Sequence, residues 1–148
     1  MITGDARPVL VVEDSDEDFD TVREALKKSG RPNALWRATP GGTGVELLRS
    51  GVGGAVRPAF VLMDLNTPGI DGREALESIK TNPILWDLPV VVLTTSANVK
   101  DLSFCYRVGA NAYHVKPVRY ADHIQVLLAV FTYWLGAVAL PRPEWRTV

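Results

Sequence analysis

Five residues spread along the chain have the right types to form one charged site: Glu13, Asp14, Asp64, Thr94 and Lys116. Glu13 and Asp14 stand directly behind the apolar run "VLVV", and Asp64 ends "AFVLMD". Thr94 closes "PVVVLT", and Lys116 follows "AYHV". Three carboxylates crowded together repel one another unless a cation neutralises them. Hard oxygen ligands with no His or Cys beside them suit Mg²⁺, which takes a few carboxylates together with waters and phosphate oxygens. A carboxylate held beside a divalent ion and a lysine is what phosphoryl transfer requires. A nucleophile is positioned in line, and cations spread over the equatorial oxygens stabilise the transition state.

Such convergence demands a particular scaffold. The runs at 9–12, 35–39, 59–64, 89–94 and 112–115 read as short strands, several of them apolar almost throughout and so buried on both faces. Between them lie helical patterns. "SDEDFDTVREALKKSG" has Ser15 and Asp18 at capping-box spacing, with Phe19, Val22 and Leu26 on one face and Gly30 as a stop. "TGVELLRSG", "GREALESIK" and "VKDLSFCYRVG" read as three more helices, and a long apolar helix starts near Tyr120. Strands alternating with helices of this length predict right-handed crossovers and a parallel sheet covered on both faces. The expected fold is therefore α/β: a doubly wound, five-stranded parallel sheet in the order 2-1-3-4-5. In such a sheet ligands bind outside the carboxyl ends of the strands, where all five residues would lie.

Composition narrows the function. The chain has 148 residues, 47% hydrophobic and 22% charged, with a formal net charge of −1. That predicts one folded domain over 1–148, with a core of about 8–135 and a tail from 136. Nothing in the charge balance points to nucleic acid or a membrane surface, and no helix-turn-helix or basic patch predicts DNA binding. The lone Cys105 excludes an internal disulfide framework and fits a reducing cytoplasm. The uncharged stretch "IQVLLAVFTYWLGAVAL" would span about 25 Å as a helix, short of the roughly 30 Å hydrocarbon core. It is read as a buried helix with spare apolar surface.

The blocks "VVEDSDED", "LMDLNTPGIDG", "VVLTTSAN" and "YHVKPV", in this order, resemble the signature blocks of bacterial response-regulator receiver domains. Thirty residues separate Asp64 from Thr94, and twenty-two separate Thr94 from Lys116, which fits that family. The resemblance covers nearly the whole chain and implies a flavodoxin-like fold. It implies that Asp64 accepts a phosphoryl group from a sensor histidine kinase in a Mg²⁺-dependent reaction. Asp14 would bind the metal directly, Glu13 through a water, and Asn66 through its backbone carbonyl. Lys116 would bind a phosphoryl oxygen, and the Lys116–Pro117 bond would be cis. Thr94 and Tyr113 match the switch pair, whose rearrangement would change the surface made by the helix 99–108, the strand 112–115 and the last helix. "LPVVVLTTSANVKDL", "YRVGANAYHVKPV" and "YWLGAVALPRP" further resemble the small stand-alone regulators paired with phytochrome histidine kinases, which implies a bacteriophytochrome as phosphodonor.

Other readings of the same residues compete. "DLNTP" is faintly similar to the signature of haloacid-dehalogenase-type phosphatases, but Asn66 stands where that mechanism needs a second Asp. The chain is therefore expected to be a signalling switch, not an enzyme. His114 and His123 match no motif position and are expected to be structural or surface residues. On the last helix Ile124, Leu127, Leu128, Phe131 and Leu135 form a core-facing stripe. Val126, Ala129, Val130 and Tyr133 are expected to point away from it, and excess apolar area of that kind predicts a homodimer through this face.

Overall fold

The computed structural model describes residues 6–38, 57–67 and 70–142. Its main sheet has five strands: β1 (Val9–Val12), β2 (Leu35–Ala38), β3 (Phe60–Met63), β4 (Val90–Thr94) and β5 (Ala112–Val115). All neighbours pair in parallel in the order β2-β1-β3-β4-β5, the predicted arrangement. The helices are α1 (Asp16–Lys28), α2 (Gly72–Thr81), α3 (Val99–Val108) and α4 (Tyr120–Thr132). Asn66–Thr67 and Ile70–Asp71 form a small antiparallel ladder before α2. The expected helix at "TGVELLRSG" lies outside the described residues.

Period-two alternation sorts the strands into two apolar layers. Val9, Val11, Phe60, Leu62, Val91 and Leu93 face α1 and α4, where Val22, Leu26, Ile124, Leu127 and Phe131 meet them. Leu10, Val12, Val61, Met63, Val90 and Val92 face α2 and α3, against Leu76, Ile79 and Cys105. β1, β3 and β4 are buried at every residue, which is why they read as unbroken apolar runs. The edge strands β2 and β5 are only part-buried.

Local signals fix the helix ends. The Ser15 hydroxyl accepts the Asp18 N–H at 3.2 Å, and the Asn98 side chain accepts the Lys100 N–H at 2.8 Å, each satisfying a first-turn donor. Gly109 ends α3 at φ +124°, a conformation that favours glycine.

The apolar run after Ile124 is not one helix. α4 stops at Thr132, a π-turn covers Tyr133–Ala137, and Val138 is extended. No helix among the described residues is long and apolar enough to cross a membrane. The split changes which side chains are covered. Ile124, Leu127, Phe131 and Leu135 are buried and Leu128 packs on the core, as expected. Val130 is also buried and Val126 also packs on the core, contrary to the expectation that they point away. The reason is that α4 packs both on the sheet and against its neighbour α1, so apolar contacts reach it from two sides. Of the four residues expected outside, Ala129 and Tyr133 are exposed.

Candidate phosphoacceptor site

Ladder bonds extended past the strand ends fix the backbone of the site. Glu13 N–H donates to the Ala38 carbonyl (3.1 Å), Asp64 N–H to that of Val12 (3.1 Å) and Lys116 N–H to that of Thr94 (2.7 Å). Each residue is therefore held by the neighbouring strand rather than by a free loop. Arg37 on β2 secures the acidic turn, donating to the carbonyls of Glu13 and Asp14 (both 3.0 Å) and to the Asp16 carboxylate (2.6 Å). Below Asp64, Gly72 starts α2 so close to the chain that a Cβ there would lie 2.7 Å from the Leu65 Cα and 2.9 Å from the Asp64 carbonyl oxygen. Any side chain at this position would push on the Asp64 backbone.

On this frame the Lys116 ammonium meets three carboxylates: Glu13 Oε2 at 2.9 Å, Asp18 Oδ2 at 2.8 Å and Asp64 Oδ2 at 2.9 Å. Lys116, Glu13 and Asp64 are 8%, 5% and 9% exposed, so the pairs to Glu13 and Asp64 are shielded from water, whereas the Asp18 side chain is part-exposed. An ammonium has three donors, and each of these bonds uses one. Burial opposes the Lys116 charge, but the bonds to Asp18, Glu13 and Asp64 outweigh it and push its pKa above the ordinary lysine range. Burial likewise lifts the Glu13 carboxyl above its usual range, against the bonds from Lys116 and the Ser15 N–H. The two shifts differ in source, ion pairing for Lys116 and burial for Glu13, to which the Asp64 charge adds least. Three carboxylates against one ammonium also leave the cluster with excess negative charge.

The same excess suits a divalent cation. Oxygens of Glu13, Asp18 and Asp64 lie within 4.8 Å of one another, all hard donors with no sulfur or imidazole in the set. That donor set fits Mg²⁺ or Mn²⁺. Asp18 is a member that sequence reasoning missed. Its spacing from Ser15 marked it as a capping position, but the first turn of α1 also carries its carboxylate onto Lys116. Asp14 is exposed and lies outside this three-carboxylate group, because Arg37 pins its carbonyl while its side chain faces solvent. For Asn66 the backbone is placed, paired with Asp71 two residues beyond Asp64.

The expected switch residues sit beside this cluster. Thr94 is fully buried, and its Oγ1 accepts the Ser96 N–H at 3.3 Å. The half-buried Tyr113 hydroxyl donates to the Ser96 carbonyl at 2.8 Å. The Ser96 hydroxyl in turn donates to Asp101 Oδ2 (2.6 Å), and Arg73 on α2 donates through Nε (3.1 Å) and Nη2 to Asp101 Oδ1. The bonds from Ser96 and then Arg73 hold the Asp101 carboxyl below the usual carboxylate range. Ser96 and Asp101 had no signal in the sequence beyond their position near Thr94, and Arg73 had none. The Lys116–Pro117 bond, expected cis, is trans. Trans is the intrinsically favoured isomer, and Lys116 already reaches all three carboxylates with it.

Comparison with known proteins agrees with this geometry. Residues 9–128 match the response regulator receiver domain family. The chain is 38% identical over 135 residues to the response regulator Rcp1 of Synechocystis, covering 90% of this chain and 92% of that protein. Its structure is similar to that of Mn²⁺-bound Rcp1 at a TM-score of 0.83 and 37% identity, covering 92% of this chain and 99% of the other. It is also similar to the phosphorylated cyanobacterial phytochrome response regulator RcpA, with a TM-score of 0.85, 33% identity, and 93% and 100% of the two chains covered. A third likeness, with a TM-score of 0.81 and 30% identity over 92% and 99% of the chains, is to RPA3017 in red light signalling of R. palustris. With a receiver match over most of its length and the acidic cluster, lysine and threonine at the strand ends, the chain belongs to the response regulator receiver family.

Proposed function

We propose that Asp64 is phosphorylated by a histidine kinase in a Mg²⁺-dependent reaction. The observation that carries this reading is the buried Lys116 ammonium, 2.9 Å from Asp64 Oδ2 within a cluster short of positive charge. Asp64 is the nucleophile, held by its ladder bond to Val12. Lys116 turns its ammonium to a phosphoryl oxygen as that oxygen arrives. Glu13, Asp18 and Asp64 would hold the metal, with Asp14 and the Asn66 carbonyl as further ligands. Bound there, the ion supplies positive charge to the transferring phosphoryl group. Thr94 and Tyr113 then rearrange, and the surface of α3, β5 and α4 changes with them. The output is a protein contact in the cytoplasm rather than turnover of a substrate or binding to DNA, and the chain acts as one receiver unit.

The test is intact mass after incubation with acetyl phosphate, with and without Mg²⁺, beside an Asp64→Asn control. We expect a Mg²⁺-dependent gain of one phosphoryl group that the control lacks. Gain in the control would move the acceptor elsewhere, and steady phosphate release without an adduct would mean an enzyme.

The relatives Rcp1, RcpA and RPA3017 support a finer reading, in which the phosphodonor is a phytochrome-type kinase. Transfer from such a kinase that differs between red and far-red light, and is absent from an unrelated histidine kinase, would bear this out. The exposed Val118, Tyr120 and Tyr133 support a homodimer through the face of α4, smaller in apolar area than the sequence implied. A Tyr133→Asp variant should then sediment as a monomer at concentrations where the parent is a dimer.

A further inference from the structure

From Glu13 to Asp20, six of eight residues are acidic. Like charges at that density push a turn apart. Two of the residues expected to hold the metal, Glu13 and Asp14, stand in it all the same. Arg37 reaches this turn from the neighbouring strand β2, 24 residues along the chain from Glu13. Its guanidinium spends all three nitrogens there. Nε donates to the Glu13 carbonyl and Nη2 to the Asp14 carbonyl, both at 3.0 Å, and Nη1 to the Asp16 carboxylate at 2.6 Å. The guanidinium is held in its turn by the Phe19 ring, whose centre lies 4.9 Å from Cζ.

The next residue of β2 completes the grip, because the Ala38 carbonyl accepts the Glu13 N–H. Arg37 and Ala38 thus hold the main chain of Glu13 on both sides. Its carboxylate is then fixed at both oxygens, Oε1 by the Ser15 N–H at 3.0 Å and Oε2 by Lys116. Fold stability does not account for the fork. The Arg37 side chain is 28% exposed and that of Asp16 89%, and the bond to Asp14 is exposed, so water could serve these acceptors at little loss. What water cannot supply is position. A rigid, planar fork on two successive carbonyls sets the orientation of both peptide groups, and with it the directions in which the Glu13 and Asp14 side chains leave the chain.

We propose that Arg37 is a positioning residue for the divalent cation, its guanidinium keeping Glu13 and Asp14 oriented as ligands against their mutual repulsion. The proposal rests on Mg²⁺-dependent phosphorylation of Asp64, so its test reads the two separately. Its sign is opposite to that of simple electrostatics. Loss of a positive charge beside a cation site tightens binding by Coulomb attraction alone. Loss of a group that orients the ligands loosens it.

Mn²⁺ is the probe, with its free fraction read by electron paramagnetic resonance against the full chain. The variants are Arg37→Met, Arg37→Lys and a charge-matched control, Arg23→Met. Arg23 pairs with Asp20 and stacks on Phe19 from 5.5 Å, with no bond to the Glu13 or Asp14 carbonyls. We expect Arg37→Met to bind Mn²⁺ about tenfold more weakly than the parent. Arg37→Lys, which keeps the charge but not the fork, should fall between them. Arg23→Met, whose lost charge is exposed and screened, should stay within about twofold of the parent. With acetyl phosphate, the Mg²⁺ concentration for half-maximal rate should rise in Arg37→Met while the rate at saturating Mg²⁺ is kept. Binding in Arg37→Met as tight as in the parent or tighter overturns the proposal, as does equal weakening in Arg23→Met. A lower saturated rate at an unchanged Mg²⁺ requirement also overturns it. Should Arg37→Met fail to fold, Arg37→Lys decides: weaker binding supports the proposal and parental binding overturns it. A parent that takes up no Mn²⁺ would instead overturn the Mg²⁺-dependent reading itself.

Discussion

At the carboxyl edge of the sheet the Lys116 cluster is closed and charged, while the Ser96–Asp101–Arg73 network beside it is half-open and strung from individual hydrogen bonds. The first is anchored by ladder bonds on β1, β3 and β5, and its central ion pairs are almost fully covered. The second spans the β4–α3 loop and the first turns of α2 and α3, with Arg73 31% and Asp101 17% exposed. Thr94 belongs to both. Its carbonyl accepts the Lys116 N–H and its hydroxyl accepts the Ser96 N–H. Under the proposed function, the buried cluster would receive the charge and the network of individual bonds would report it, so the two roles would fall to neighbouring structures of different stiffness.

Lys116→Met gives the largest expected effect, because it strands three carboxylates in a covered site. Loss of one partner from a buried ion pair costs about 3–5 kcal/mol, read here by urea unfolding in Mg²⁺-free buffer at neutral pH. Added Mg²⁺ should restore part of it. The deficit should shrink as the pH falls. Burial already lifts the Glu13 carboxyl, so the folded variant binds protons that the unfolded chain does not, and its stability declines as pH rises. A cost under about 1 kcal/mol would show that the cluster does not depend on its lysine. The contrast with the second network would then fail.

Asp101→Asn tests the softer side. It removes a charge-assisted bond to Arg73 and weakens the one from the Ser96 hydroxyl, both part-exposed, and should cost about 1 kcal/mol. The Asp101 carboxyl is held low, so its contribution is present above the unfolded carboxylate pKa and is lost as pH falls through the folded one. Acid titration below about pH 4 should therefore narrow the gap between parent and variant. A gap that widens in acid would mean the bonds to Ser96 and Arg73 do not stabilise the charged form.

How much of this was legible beforehand follows from the kind of signal each residue carries. The five strands, their order and the convergence of Glu13, Asp64, Thr94 and Lys116 rest on apolar runs and strand ends, which are periodic and local. Asp18 was legible only as a cap. Its contact with Lys116 depends on where tertiary packing sets the first turn of α1 relative to the residue after β5, which no local pattern encodes. Arg37 and Arg73 were hidden for the same reason, since a charged residue on an edge strand or helix face is ordinary until its partner is known. The last helix misled because uniform apolarity gives no face. Val126 and Val130 could be assigned inward or outward only once α1 was seen packed beside α4.

The smallest expected effect is the most informative about the boundary between the two regions. Tyr113→Phe deletes the 2.8 Å bond to the Ser96 carbonyl and leaves the ring in place, for about 0.5–1.5 kcal/mol at most. Global unfolding will barely register it, so the measurement is amide hydrogen exchange. Exchange should quicken at Ser96, Asn98 and the first turn of α3, where the carbonyl and the cap depend on the loop. The Lys116 and Asp64 amides, held by Thr94 and Val12 in the ladder, should keep their protection. Quickening that reached Lys116 would mean that Thr94 transmits the disturbance in full. The two constellations would then be one cooperative unit, and the surface around α3 could not change without loosening the site that holds the charge.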